Sequence, residues 1–535
     1  MSIWRSLVAR ILIVASLYFS APRPTFWQHV GMLDDPTDDE VAELIRGVPD
    51  HCASTYTEFY CNTSTGANVN GGSDAGSPSM SDTAGTGAVS TVTHQYTSVI
   101  TTGTVTVGQF ISIYSGAATV AAFTARVTVV SGGSGSVWVI TYSTTSIAGT
   151  EPTTGSTYKA QVGGAWKGPN AAEAFPFGYI TSAATNSSTN LPRVNLKNNA
   201  TYSITAAMTH ANASVRFEGY SSSVGDFGRA TIDGGASGAS YVLLTASGAL
   251  CQIAYVIFQN NGASGSADGL TLSGLGTYCL GVVVNSVRGN GFATSSSAGS
   301  ELDKCEAYAC NQSNTASVGG FSSGGGADYF KRSVSHDNTG SNSAGFITGV
   351  GSGSSGVYED CIADTNGGIG FNTRCRGAFR SLKNCDSYNN TSDGIRLTSA
   401  TTAALFVVEN CNLVKNGGYG INRSDVIVGT VTIVRNCGFG SGTQVNTSGT
   451  STGLTGNGEE NSISYASGVT PWVDPANGDF RINLAAAQGA GDGTFTETAA
   501  SYSGTVGYPD VGAAQHQETR PVIVKFAGDG GGFVG

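Results

Sequence analysis

The sequence predicts an all-β chain whose middle half is a single-stranded parallel β-helix, with a small β-domain ahead of it. Three observations carry this. Cysteine or serine recurs at Cys305, Ser333, Cys361, Cys385, Cys411 and Cys437, with gaps of 28, 28, 24, 26 and 26 residues. Four further columns of residues keep step with that spacing. The composition suits short strands and tight corners: 76 of 535 residues are glycine and only 12% are charged, about half the usual ~25%.

Each column has a physical reason. Three residues before each register point stands an apolar one: Leu302, Phe330, Tyr358, Leu382, Val408 and Val434. Five after come Asn338, Asn366, Asn390 and Asn416, with Cys310 beside Asn311 in the earlier coil, and one before come Asn384, Asn410 and Asn436. Further along, glycine precedes Phe292, Phe346, Phe371 or an isoleucine, Ile395 or Ile421, and Phe321 holds the same place. A single coil cannot bury its own inner face, so stacked neighbours supply the cover, with equivalent residues about 4.8 Å apart. Small Cys and Ser stack inside, and Asn at corners tolerates left-handed geometry and hydrogen-bonds along the stack. Ser286 and Ile257 extend the column upstream.

Two residues before each register point the charge alternates: Asp303, Lys331, Glu359, Lys383, Glu409, Arg435. On a plain strand, positions two apart share a face, so a bend must fall just before the Cys and leave the charges outside. There each exposed pair contributes only ~0–1 kcal/mol, and the column acts mainly by penalising like-charge slips of register.

The remaining segments read in order. Arg5 and Arg10 precede an apolar run from Ile11 to Ala21, the layout of a signal or anchor segment over residues 1–22. Residues 23–90 form an acidic stretch, with a short helix capped by Thr37 or Asp38, then a Gly/Ser/Thr/Asn linker. Residues 91–170 alternate like strands, clearest in Thr104–Gly116 and Val137–Ser143. The solenoid runs over 171–465, a capping segment over 466–518 and a flexible tail over 519–535. The eleven cysteines include no CxxC pair, which argues against zinc or redox chemistry and for buried thiols, with Cys52 and Cys61 set apart as candidates for a local disulfide. A net charge of −11 with no basic run excludes a nucleic-acid partner, and an anionic polysaccharide would need a local basic patch.

The segment ENCNLVKNGGYGI (Glu409 to Ile421) and its repeats resemble the coil signature of the right-handed parallel β-helix, or pectate-lyase-like, superfamily, over about residues 195–465. The resemblance implies a right-handed solenoid and little about function, because that fold hosts lyases, hydrolases, epimerases, adhesins and phage tailspikes. WVDPANGDFRIN (Trp472 to Asn483) and YPDVGAAQ (Tyr508 to Gln515) resemble the closing segment of secreted bacterial and phage-encoded β-helix proteins. Ala486-Ala487 stand where that segment usually has Ser-Pro. Its expected role is to cap the last coil and cover an open sheet edge.

The family's enzyme signatures are missing: there is no Gly-His-Gly, Arg-x-Pro-x-x-Arg or Asp-Pro-His. The remaining catalytic candidates are His336 and Asp337, following Lys331-Arg332, and the arginines Arg374, Arg376 and Arg380 of the next coil. A lyase needs a base and a cation to neutralise the substrate carboxylate. Three after the register point, Tyr308, His336, Asp364 and Tyr388 form a polar-aromatic stripe suited to sugar contact. No cofactor or metal site is assigned; Asp226, Asp233, Asp268 and Asp393, beside glycine in turns, are the candidates for Ca²⁺. The reading favoured is an extracellular or virion-displayed β-helix recognising glycans, such as a phage tail fibre or spike (a homotrimer) or an adhesin. The alternatives are a secreted polysaccharide lyase or glycoside hydrolase, and a purely structural surface protein.

Overall fold

The structure is a computed structural model that describes residues 55–61, 78–163 and 190–487, apart from short segments within those ranges. The expected signal segment, capped helix and tail lie outside the described residues.

From Asn190 to Ser464 the chain winds as a right-handed parallel β-helix with three faces. One coil shows the plan. Phe379–Lys383 lies on face one, Asp386–Tyr388 on face two and Ile395–Ser399 on face three; Leu405–Glu409 then returns to face one. Each strand pairs in parallel with its equivalents above and below, giving sheets of twelve, eleven and ten strands.

A single left-handed residue turns the chain from face one to face two. It is Tyr255, Gly281, Lys304, Arg332, Asp360, Asn384, Asn410 or Asn436, with φ between 49° and 60°. This is the bend expected before the Cys column, and Asn fills it where the repeat is most regular because Asn tolerates that geometry best among residues with a side chain. Asn338, Asn366, Asn390 and Asn416 make the hydrogen bonds along the stack expected of them, but not at a left-handed corner. They follow the second corner, are buried, and hand an amide hydrogen bond from coil to coil at 2.7, 2.8 and 2.9 Å.

The inner columns pack in register. Phe292, Phe321, Phe346 and Phe371 stack face to face at 4.7–4.9 Å, above Leu270 and below Ile395 and Ile421. In the Cys column each thiol reaches a backbone carbonyl of the preceding coil, as in Cys385 to Tyr358 at 3.6 Å and Cys411 to Leu382 at 3.7 Å. Ser333 makes the same bond to Leu302 at 3.2 Å. Upstream the column continues through Val282, Val256 and Ala230, not through Ser286 and Ile257. Ser286 stands four residues past Val282, at the second corner with φ 55°, and Ile257 stands one residue past Val256. Cys61 is buried; Cys52, its expected disulfide partner, lies outside the described residues.

The charge column pairs in the expected register, Asp303 through Arg435, but it is not on an open surface. Asp303, Lys331 and Glu409 are buried, because coils about 4.8 Å apart cover each other's outward side chains beside the corner. Glu409 lies between Lys383 at 3.6 Å and Arg435 at 2.7 Å. Asp303 is held by the corner residue of the next coil, Arg332, whose Nε donates to it at 2.8 Å.

Two segments within residues 23–90, the expected acidic stretch and linker, are strands. Thr55–Cys61 pairs in parallel with Asn190–Lys197 and opens face one. Pro78–Ser90 belongs to a closed six-stranded antiparallel barrel that ends at Gly163. The barrel is thus inserted into the first coil. Its core contains Tyr96, Ile111, Phe123, Trp138 and Ile140, and a buried Asp82 accepts hydrogen bonds from Ser98 and, at 2.6 Å, from the Tyr96 hydroxyl.

After the solenoid, Trp472–Asp474 and Asp479–Ile482 form an antiparallel hairpin. It covers the outer surface of face two over the last coils, packing Trp472, Phe480 and Ile482 on Tyr388, Val414 and Tyr465.

Candidate functional site

Most face-two strands have three residues, with the middle one pointing inward and the outer two outward; Ala230–Asp233 and Val256–Gln259 begin one residue earlier and keep the same alternation. Register alignment builds one outward column through Asp233, Gln259, Asn285, Tyr308, His336, Asp364, Tyr388 and Val414. Beside it runs Ile257, Val283, Glu306, Val334, Ile362 and Asp386. The stripe expected from the repeat therefore exists as one column.

Its centre is a tight cluster. The Tyr308 and His336 rings stack at 5.1 Å with planes 13° apart. His336 Nε2 lies 3.0 Å from Glu306 and Nδ1 lies 2.8 Å from Asp337, so both ring nitrogens face carboxylates. Burial disfavours the imidazolium, but the two hydrogen bonds outweigh it and raise the His336 pKa. The hydrogen bond from His336 in turn lowers Glu306. In the next coil Asp364 is pushed up to about 6, first by burial and then by the neighbouring Asp337, against a hydrogen bond from Thr365. The two carboxyl groups, Glu306 and Asp364, thus have pKa values moved in opposite directions.

Two expected members are not part of this cluster. Tyr388 is only 5% exposed, because Trp472 and Phe480 cover its ring at 5.5 and 6.0 Å, and Lys415 lies over it at 5.6 Å. The hairpin ends the open stripe there. Arg374 lies on face three, within Ile369–Cys375, paired with Thr398, and so is not brought to His336; Arg376 lies outside the described residues. Glu306 was missed, although it stands two residues before Tyr308, the spacing that shares a strand face. The turn aspartates are engaged separately. Asp226 caps Ser221–Ser223, Asp233 holds Gln259 and Asn260, Asp268 holds Asn290, and Asp393 holds Arg396 and Asn422. Among the described residues no three His, Cys, Asp or Glu side chains gather as metal ligands.

No protein-family model and no curated protein matches the chain. Solved structures do. Pectate lyase Pel9A aligns over 65% of this chain and 92% of its own, with 14% identity and a TM-score of 0.39. The A-module of the Azotobacter vinelandii mannuronan C-5 epimerase AlgE6 aligns over 51% and 91%, with 14% identity and a TM-score of 0.29. The catalytic domain of a GH87 alpha-1,3-glucanase aligns over 70% and 90%, with 11% identity and a TM-score of 0.29. At such identities the likeness concerns the fold, and the chemistry rests on the site itself.

Proposed function

We propose that this chain is a glycan-recognition β-helix that binds a neutral polysaccharide along face two. The observation that carries this is the stacked Tyr308–His336 pair, set between Glu306, Asp337 and Asp364 on an outward column. Flat rings pack against sugar faces, and carboxylates and imidazole exchange hydrogen bonds with hydroxyls. A column repeating at about 4.8 Å presents these groups in a line, as a linear polymer requires. Three carboxyl groups around one imidazole repel a uronate chain, which makes the ligand neutral. Display outside the cell or on a virion, as a homotrimeric tail fibre or spike or as an adhesin, is the setting that fits such a binder.

A second reading, glycoside hydrolysis, is favoured by the opposed shifts of Asp364 and Glu306, since acid and base pairs are built by pushing two carboxyl pKa values apart. Lyase chemistry has less support, because Arg374, the cation proposed for it, lies on another face. The test is affinity electrophoresis of the whole chain through gels containing a glucan, a mannan, a galactan or a uronate polymer, with reducing ends and unsaturated sugars measured in parallel. Retardation by a neutral polymer that Tyr308→Ala abolishes, without new ends, is the expected result. New reducing ends lost in Asp364→Asn would establish the hydrolase. Retardation only by the uronate polymer would overturn the neutral reading.

A further inference from the structure

We propose that Phe227 and Tyr255 form a second sugar-stacking platform, at the corner between faces one and two, that extends the glycan path toward the N-terminal end of the solenoid. The proposal rests on the glycan reading of face two.

Later coils make this corner with one left-handed residue, and three of them use Asn. Ahead of Ala230 the corner widens into a loop, Ser221 to Arg229. Asp226 closes it by accepting the backbone N–H groups of Ser221, Ser222, Ser223 and Gly228 at 2.8, 2.6, 2.9 and 3.1 Å. That leaves Phe227 in the left-handed region at φ 60°, with its side chain 64% exposed. In the next coil the corner residue is Tyr255, at φ 54°, and the two rings lie 4.9 Å apart, tilted by 58°. One coil further the corner is Gly281, where an added Cβ would come within 2.9 Å of the Tyr255 ring. These three coils make the corner with a loop, a tyrosine and a glycine, and together they hold two rings side by side. Large side chains are disfavoured at positive φ. Burial does not explain the choice, because Phe227 remains in water.

An exposed ring face offers negative π density to the slightly positive C–H groups of a sugar. The exposed Ser222, Ser223 and Arg229 supply a polar rim. The platform also joins the stripe already described. Tyr255 leads directly into Val256–Gln259, whose outward Gln259 stands three coils before His336 in the same column. At ~4.8 Å per coil the platform and His336 are about 14 Å apart along the axis, a span for several sugars in a row.

The test is calorimetric titration of the full chain with size-graded oligosaccharides of the neutral glucan, mannan or galactan that the gel assay retains. For the wild type, affinity should rise with oligosaccharide length. Phe227→Ala and Tyr255→Asn should bind the shortest oligosaccharide unchanged and lose at least tenfold on the longest, whereas Tyr308→Ala should weaken every length. Tyr255→Asn places the residue that three later coils use at this corner, and that tolerates positive φ, and should melt no lower than the wild type, which separates binding from folding. Wild-type affinities from both variants at every length would overturn the platform and leave the face-two reading standing. Loss of binding to no polymer at all, because the wild type binds none, would overturn both. A concentration-dependent dimer abolished by Phe227→Ala would assign the platform to self-association and overturn its glycan role.

Discussion

Replacing Asn390 by alanine probes what holds the coils in register. The Asn390 side-chain amide donates to Ala363 O at 3.0 Å, Ser387 Oγ at 3.0 Å and Asn416 Oδ1 at 2.9 Å. Its oxygen accepts from the backbone and side-chain nitrogens of Asn366 at 3.0 and 2.8 Å. Alanine would leave the buried Asn366 N–H and the Ala363 carbonyl without these partners, while Asn416 Oδ1 keeps the Ser387 hydroxyl and the Asn390 backbone N–H. Each orphaned buried group costs about 1–3 kcal/mol, so the loss should be roughly 3–5 kcal/mol, a large effect for a single substitution. Asn390→Asp keeps the acceptor and loses the donors, and it should recover part of the loss on acidification, when the carboxyl is protonated. Urea unfolding followed by both tyrosine fluorescence and far-UV circular dichroism measures this, and coincident transitions are needed for the comparison. A loss below about 1 kcal/mol would refute the ladder as a source of stability.

Other predictions follow from the same geometry. Glu409→Gln leaves Lys383 and Arg435 facing each other and should cost about 1–3 kcal/mol by urea unfolding, less than a fully buried pair because both cations keep contact with water; an unchanged midpoint would contradict this. Arg423 is fully buried and none of its guanidinium nitrogens is hydrogen-bonded among the described residues, so Arg423→Met should stabilise the chain by about 1–4 kcal/mol, and a lower melting temperature would contradict this. Asp364 carries a folded pKa of about 6 against an ordinary 3.8, so its native form is favoured when protonated and stability is lost as pH rises through that window. Asp364→Asn should therefore melt higher than the wild type near pH 7 and no higher near pH 3. His336 is raised by Glu306 and Asp337; its contribution is full below the ordinary histidine range and is lost as pH rises through the raised value, so His336→Gln should destabilise more in acid than in alkali.

Most of the solenoid was legible because its columns are set by one-dimensional spacing. The phenylalanine stack, the charge register and the bend before the Cys column all follow from counting residues. What spacing could not show was which coils are irregular. Upstream of Cys305 the column carries Val282, Val256 and Ala230 in place of Cys or Ser, so residue type no longer marks it, and the barrel inserted between Thr55–Cys61 and Asn190–Lys197 separates the first strand from the rest of the solenoid. The site was half legible. Tyr308, His336 and Asp364 fell into one column because strands stack in register. The covering of Tyr388 by Trp472 and Phe480 depends on a long-range contact that no local pattern encodes. Arg374 was misplaced because closeness in the repeat does not say which face a residue occupies.

The most direct test of the central claim is a structure of the chain bound to an oligosaccharide of the neutral polymer it retains. Sugar rings lying along face two, against Tyr308 and His336 between Gln259 and Asp364, are the predicted result. Sugar bound instead on face three beside Arg374, with the face-two column empty, would contradict the account.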